Sequence, residues 1–215
     1  MSNYKTVFFT FGLLQIVLGL SMIIPIIIQF IFNELDSSFI GPSIICIIFG
    51  VLFFLSNFDH DKKLNLPQAF LLTGLSWVGI ALFGALPFMF SNLELSITDS
   101  IFESMSGITT TGSTVINNLN EAPKAILLWR AILQWLGGIG IILMAITLMP
   151  IMNVGGMQLF KVSSNDTAEK ILPKSKQVSI RLLIIYSFLT ISCAFFYKIF
   201  GMGFFDSLTH SMTTI

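Results

Sequence analysis

The sequence predicts an all-α membrane protein, and three observations support this fold class. Of the 215 residues, 54% are hydrophobic and only 10% are charged, whereas an average soluble domain has about 25% charged residues. The mean hydropathy is +0.88. The charged residues are grouped, so that long uncharged stretches separate them. This composition excludes a disordered chain, a nucleic-acid-binding protein and almost any water-soluble enzyme.

Five uncharged stretches predict five transmembrane helices. Four of them have 22 to 30 residues without a charge, and the fifth, residues 182–197, has 16. A helix needs about 20 mostly apolar residues to cross a bilayer. Arg181 and Lys198 lengthen the fifth stretch, because long basic side chains reach out to the interface. The predicted spans are residues 7–32, 39–56, 68–90, 125–149 and 180–200.

The charges between the spans predict a cytoplasmic N-terminus. In that orientation, eight of the eleven basic residues lie on the inner side and seven of the eleven acidic residues on the outer side. This is the positive-inside distribution, and the opposite topology violates it at nearly every loop. An acidic outer surface also suits a protein that receives cations from outside. The basic inner stretch at residues 155–177 is expected to contact anionic lipid.

The outer segment 91–124 differs from a simple loop. Ser96 or Thr98 is expected to cap a short helix over residues 99–106. An uncharged run of hydroxyl residues and glycines follows at 107–114. We predict a helix that enters the membrane partway and an extended strand that returns, because irregular backbone at membrane depth requires protein or water around it.

The same pattern recurs 107 residues further along the chain. Residues 99–108 align with residues 206–215, and five of the ten pairs are identical. Each copy follows a span that runs from the inner to the outer side. Such internal repeats indicate a larger repeated architecture. We predict that the repeating unit is a span, a pore helix, a filter strand and a second span.

These segments resemble the Trk/Ktr/HKT family of potassium transporters. Residues 102–114, FESMSGITTTGST, are similar to the first filter loop of the family. Residues 129–140, WRAILQWLGGIG, are similar to the outgoing helix, and residues 205–211, FDSLTHS, to the second pore helix. The two spans before the first repeat resemble the Trk-type membrane subunit rather than the Ktr type.

The resemblance implies potassium uptake through oxygens of the filter loop. A dehydrated potassium ion needs oxygens in place of its water shell, and carbonyl groups of four loops supply them. By the resemblance, the ion-binding residues are Thr110, Thr111, Gly112 and Ser113, with potassium at Thr110 and Thr111. We predict Asp99, Glu103, Gly107, Thr109 and Arg130 as supporting residues, and Thr214 and Ile215 as the approach to a second filter.

Two features explain how such a loop directs its carbonyl groups at a cation and attracts the cation. Gly112 can adopt φ angles closed to other residues, which lets carbonyl groups point at the pore axis. The helix over residues 99–106 directs the negative end of its dipole at the same place. For Arg130 two alternatives stay open: it reaches the interface, or it forms a salt bridge with Glu103 or Asp99.

The domain organisation departs from the family pattern of four repeats in one chain. We expect an N-terminal fragment of a protein of about 490 residues, because a filter of this type needs four loops. Residues 1–64 are predicted to hold two N-terminal transmembrane helices and residues 65–155 the first repeat. Residues 156–178 are predicted to form a basic cytoplasmic loop, and residues 179–215 the start of a second repeat.

No enzymatic activity and no covalently bound cofactor are expected, since the spans hold no acidic residue and the sequence has no ATP motif. Potassium is the expected transported ion. The expected location is the bacterial inner membrane, in contact with the lipid bilayer. The resemblance implies a cytosolic nucleotide-binding regulatory subunit and a homodimer of the complete protein. Two alternatives remain: a transporter of another solute, and a truncated, non-conducting membrane protein.

Overall fold

The computed structural model describes residues 4–34, 37–58, 64–152 and 171–215, and within these ranges the chain is helical, without a strand. A 3₁₀ turn covers Leu119–Glu121. The α-helices of the described ranges are α1 (Lys5–Ser21), α2 (Ile23–Phe32), α3 (Ile40–Ser56), α4 (Leu66–Gly84), α5 (Leu86–Met89), α6 (Ile97–Ile108), α7 (Lys124–Met152), α8 (Ile171–Ile199) and α9 (Phe204–Thr214).

The helices confirm the predicted all-α membrane class. Four helical segments are long and apolar enough to cross a membrane: Lys5–Phe32, Pro67–Met89, Lys124–Ala145 and Gln177–Ile199. The remaining predicted span corresponds to α3, an apolar helix of 17 residues. All five predicted spans are therefore helical in the structure.

Two of the predicted spans contain a break that hydropathy does not reveal. α1 and α2 are separated at Met22, close to Pro25, and α4 and α5 are separated at Ala85, close to Pro87. A proline inside a helix removes one backbone hydrogen bond, and its ring collides with the carbonyl group four residues earlier. The two prolines explain why each span consists of two helices.

α8 begins earlier than the fifth predicted span. Its first residue is Ile171, so residues 171–178, the end of the predicted basic loop, are helical. The rest of that loop up to residue 170, with its predicted lipid contact, lies outside the described residues.

The chain forms two compact units, one of described residues up to Gln134 and one from Trp135 onwards. In the first unit α1 packs against α3 and α4, and α6 packs against α4 and α5. α1 and α3 approach closely at two glycines, because a Cβ atom on Gly12 would lie 2.7 Å from the carbonyl oxygen of Gly50. Small residues commonly permit such close helix packing in membranes.

The second unit contains the later part of α7 together with α8 and α9. α8 packs against α9. The rings of Trp135 and Tyr186 have centroids 5.4 Å apart, and the indole Nε1 of Trp135 donates a hydrogen bond to Oγ1 of Thr190 at 3.0 Å. These contacts join α7 and α8 within this unit.

Candidate functional site

α6 begins with a side-chain cap. Oγ of Ser96 accepts a hydrogen bond from the backbone N–H of Asp99 at 3.1 Å, and the same hydroxyl donates to Oδ2 of Asp99 at 2.7 Å. The carboxylate of Asp99 also lies in the first turn, where the helix dipole favours a negative charge. Of the two predicted caps, Ser96 is therefore the one that the structure has.

One face of α6 is buried against α4 and the first part of α7. A Cβ atom on Gly84 would lie 2.7 Å from Oγ of Ser104, and one on Gly107 would lie 3.1 Å from Cβ of Leu133. The indole Nε1 of the buried Trp129 donates a hydrogen bond to the carbonyl group of Gly84 at 2.9 Å. These close approaches fix the position of α6 between its two neighbours.

After α6 the backbone reverses at two residues with positive φ. Thr110 has φ 58° and Gly112 has φ 75°. Glycine adopts this conformation readily, whereas for threonine it costs about 1–2 kcal/mol. The N–H groups of Thr111 and Gly112 donate to the carbonyl group of Ser106 at 3.0 and 3.3 Å. The predicted extended strand is therefore an irregular loop that folds back on the end of α6.

Hydroxyl groups stabilise the path of this loop. Oγ of Ser106 donates to the carbonyl group of Ser113 at 2.6 Å. Oγ1 of Thr109 donates to the carbonyl group of Met105 at 2.8 Å and lies 2.8 Å from Oγ1 of Thr111. The hydroxyl groups of the motif thus hold the loop in place by hydrogen bonds within the loop and to the end of α6.

Three successive carbonyl groups of the loop are left available. Those of Thr110, Thr111 and Gly112 accept no hydrogen bond from any residue that the structure describes, and the three residues are exposed. The carbonyl group of Ser113 differs, because Ser106 donates to it. A carbonyl oxygen has two lone pairs and is a suitable ligand for a hard cation.

Glu103 connects α6, α7 and the far end of the loop. Its side chain is completely buried and forms a salt bridge with Nε of Arg130. Its Oε2 accepts hydrogen bonds from Oγ1 of Thr114 and from the backbone N–H of Val115, each at 3.0 Å. A buried carboxylate is costly unless it is paired and hydrogen-bonded, and here both conditions are met.

The structure also decides between the alternatives for Arg130. Its partner is Glu103, since Asp99 instead bonds with the cap residue Ser96. The Arg130 side chain is 19% exposed.

The second copy of the repeated segment forms a helix in the predicted register. α9 begins at Phe204, which is 107 residues after Ile97, the first residue of α6. At its other end lie Thr214 and Ile215, both exposed. Oγ1 of Thr214 lies 3.0 Å from the hydroxyl oxygen of Tyr197 in α8, so this end of α9 contacts the preceding helix.

The predicted site residues of the first copy lie on α6, on the loop or on α7 of the first unit. They are Asp99, Glu103 and Gly107 on α6, Thr109, Thr110, Thr111, Gly112 and Ser113 at the end of α6 and in the loop, and Arg130 on α7. Thr214 and Ile215 belong to the second unit.

Three residues that shape the loop were not among the predicted site residues: Ser106, Thr114 and Val115. The hydroxyl groups of Ser106 and Thr114 were a visible signal within the motif at residues 102–114. Val115 contributes through its backbone N–H, and no side-chain pattern reveals such a contact.

A capped helix followed by a loop with three carbonyl groups that accept no hydrogen bond from the described residues, within an apolar helical chain, is typical of membrane proteins with a pore helix and filter loop. The family model described as "TrkH: Cation transport protein" matches residues 36–215. The chain belongs to this TrkH family of cation transport proteins.

Individual relatives agree with this assignment. The Trk system potassium uptake protein TrkI of Halomonas elongata is 38% identical over 205 residues, which are 95% of this chain and 42% of that protein. The Trk system potassium uptake protein TrkH of Escherichia coli strain K12 is 38% identical over 208 residues, 95% of this chain and 43% of that protein.

A solved structure is similar as well. The crystal structure of the potassium transporter TrkH from Vibrio parahaemolyticus has a TM-score of 0.84 at 32% identity, and the match covers 98% of this chain and 42% of that one. The chain therefore spans about two fifths of the length of these relatives.

Proposed function

We propose that this chain takes part in potassium uptake across the membrane, as the N-terminal part of the membrane subunit of a Trk-type transporter. The observation that carries this proposal is the row of carbonyl groups at the exposed residues Thr110, Thr111 and Gly112, which accept no hydrogen bond from the described residues. A potassium ion gives up its water shell only where oxygens replace it. Two relatives, TrkI of Halomonas elongata and TrkH of Escherichia coli, are potassium uptake proteins, which supports the same ion.

In this proposal potassium binds at the carbonyl oxygens of Thr110 and Thr111, with Gly112 and Ser113 completing this side of the site. The carbonyl group of Ser113 accepts one hydrogen bond from Ser106 and keeps a second lone pair for the ion. The C-terminal end of α6 lies beside the loop and adds the negative end of its dipole. Glu103 and Arg130 act as positioning residues, because they fix the backbone around the ion ligands.

One loop supplies about a quarter of the oxygens that a filter of this type needs. We therefore propose that three further loops complete the ring, the first of them following α9 beyond Thr214 and Ile215. The cytosolic nucleotide-binding subunit and the homodimer that the family resemblance implies are further parts of this proposal, as is location in the bacterial inner membrane.

The proposed orientation has a cytoplasmic N-terminus. Single cysteines at positions 92 and 118 are expected to react with an impermeant thiol reagent in intact cells, after replacement of Cys46 and Cys193. Cysteines at positions 62 and 174 are expected to react only after permeabilisation, because basic loops stay inside. Reaction of the cysteine at position 174 in intact cells would contradict the proposed orientation.

Growth of a potassium-uptake-deficient bacterium on low potassium tests the proposed function. We expect the complete gene product to restore growth and rubidium uptake, and a chain limited to residues 1–215 to reach the membrane without restoring either. Growth that depends on a different cation would support transport of another ion. Full rescue by residues 1–215 alone would mean that copies of this chain assemble into a complete pore, and the proposed role as one part of it would be wrong.

A further inference from the structure

A carboxylate that follows the N-terminal helix pair contacts the start of α7. Glu34 lies just after α2, and its Oε1 and Oε2 accept hydrogen bonds from the backbone N–H groups of Lys124 and Ala125 at 2.5 and 3.3 Å. The first N–H groups of a helix have no partner inside the helix, and a carboxylate there is favoured by the helix dipole. Glu34 thus caps α7 from 90 residues away in the sequence.

α7 depends on this distant cap because its own sequence offers none. The residue before the helix is Pro123, whose side chain has no hydrogen-bond acceptor. A second contact joins the same two places, since Nζ of Lys124 lies 4.8 Å from the centroid of the Phe32 ring at the end of α2. Cation–π contacts of this kind add to the attraction.

Glu34 is held in position by the end of α2. Asn33 adopts a left-handed conformation with φ 53°, and the N–H of Glu34 donates to the carbonyl group of Gln29 at 3.0 Å. Nε2 of Gln29 in turn donates to Oγ of Ser38 at 3.2 Å, and both of these residues are buried. The carboxylate therefore projects from a well-defined helix end.

The capped helix carries the residue that positions the loop. Arg130 follows Lys124 by six residues on α7, which is fewer than two turns. Arg130 forms the salt bridge with Glu103, and Glu103 bonds to the loop at Thr114 and Val115. A displacement of the first turns of α7 changes the position of Arg130 and, through Glu103, the position of the loop.

We propose that Glu34 is a positioning residue for the ion site: by capping α7 it keeps the Arg130–Glu103 pair in register with the filter loop. This inference rests on the proposed function, and it assigns a role to the N-terminal helices, which lie outside the repeats. Loss of the cap is therefore expected to weaken ion binding and selectivity, while the protein remains in the membrane.

The test measures rubidium uptake by the complete gene product carrying Glu34→Gln or Glu34→Ala. Glutamine keeps one acceptor oxygen and alanine keeps none. We expect the apparent KM for rubidium to rise in the order wild type, Glu34→Gln, Glu34→Ala, by about threefold or more in the last, as loss of charge-assisted hydrogen bonds predicts. The maximal rate per transporter in the membrane is expected to change by less than about twofold.

Glu121→Gln is the matched control. Glu121 is exposed and lies three residues before α7, so its loss removes the same charge from the same region without removing the cap. We expect a wild-type KM for this variant at low and at high ionic strength. An equal rise in Glu121→Gln, or a Glu34 effect that disappears at high ionic strength, would show that only surface charge matters and would overturn the proposal.

A double variant tests the connection to the loop. Thr114→Val removes one hydrogen bond to Glu103 and the acceptor of one from the backbone N–H of Ile116, and it keeps the side-chain shape. Each variant changes the KM by some factor relative to wild type. If Glu34 acts through Glu103, the factor for the double variant Glu34→Ala, Thr114→Val is expected to differ by about twofold or more from the product of the two single-variant factors. Strict multiplication of the single effects would contradict this route.

The remaining outcomes are also decisive. A wild-type KM for Glu34→Ala, with active wild-type protein, would overturn the positioning role alone. Absence of Glu34→Ala and Glu34→Asp from the membrane would assign Glu34 to folding and would overturn it as well. Wild-type protein that transports no rubidium would instead contradict the proposed function.

Discussion

The two copies of the repeated segment, in α6 and in α9, have two buried positions in common. Ser100 and Ser104 in α6 are buried, and so are Ser207 and Ser211 at the matching places in α9. All four belong to the pairs that are identical between the copies. Two of the five residues that the copies share therefore lie on the buried face of both helices.

The copies differ at the position that carries charge. Glu103 in α6 is buried and bonds to the loop, whereas the matching residue in α9 is His210, which is exposed. The residue that organises the first loop is therefore specific to the first copy. A comparison that selects only the residues identical in the two copies would have omitted Glu103.

The largest expected effect comes from the residue that distinguishes the copies. Glu103→Ala leaves Arg130 without its partner and removes the acceptor for the Val115 N–H. Breaking a buried ion pair from one side costs about 3–5 kcal/mol, so we expect loss of potassium-dependent growth and a reduced amount of protein in the membrane. His210→Ala is the matched change in α9, and an equally large loss there would mean that the copies are equivalent at this position.

A smaller effect is expected where α4 approaches α6. A Cβ atom on Gly84 would lie 2.7 Å from Oγ of Ser104, whereas one on Gly74, also in α4, meets nothing within 4 Å. We expect Gly84→Ala to lower the free energy of unfolding by about 1–3 kcal/mol through overpacking. Gly74→Ala is expected to leave it unchanged or raise it by up to about 1 kcal/mol, because alanine favours helix.

The unfolding midpoints of both variants are measured in detergent by recording circular dichroism during heating. The matching position to Gly84 in α8 is Ile191, which is 69% exposed, so the close approach is a property of the first copy. Equal unfolding midpoints for Gly84→Ala and Gly74→Ala would contradict the close packing of α6 on α4.

The smallest expected effect concerns the shared serines. Oγ of Ser104 has no hydrogen-bond partner among the described residues, whereas Oγ of Ser211 donates to the carbonyl group of Leu208 at 2.7 Å. Ser104→Ala is expected to leave the free energy of unfolding unchanged or raise it by up to about 1 kcal/mol. Ser211→Ala is expected to lower it by about 0.5–1 kcal/mol, and the reverse order of unfolding midpoints would contradict this difference.

Much of the fold follows from local sequence features. Uncharged length predicted the spans, and two candidate caps, Ser96 and Thr98, predicted the start of α6 to within two residues, because both effects act over a few neighbouring residues. The breaks near Pro25 and Pro87 were equally local, but a prediction from hydropathy alone does not include them.

Contacts between distant residues were beyond such a prediction. The capping of α7 by Glu34 joins residues 90 positions apart, and nothing in either segment alone indicates the other. For Arg130 the sequence left two partners open, because Asp99 and Glu103 lie four residues apart on one helix. Only the buried position of Glu103 on the folded helix selects it.

The central claim is that the loop after α6 selects the ion through its backbone, and two glycines allow a direct test. Gly112 in the loop and Gly201 between α8 and α9 both have positive φ, 75° and 97°. A Cβ atom on Gly112 would lie 3.6 Å from Nε2 of Gln134, and one on Gly201 would meet nothing within 4 Å. Serine at either position therefore strains the backbone by about 1–2 kcal/mol without a serious clash.

The measurement is rubidium uptake by the complete gene product in competition with sodium. We predict that sodium inhibits uptake by Gly112→Ser much more strongly than uptake by the wild type, because a displaced carbonyl group no longer fits the larger ion. Gly201→Ser and Thr109→Ser, which keep the loop backbone, are predicted to discriminate as the wild type does. Unchanged discrimination in Gly112→Ser, or the same loss in Gly201→Ser, would contradict the assignment of this loop as the ion-selecting element.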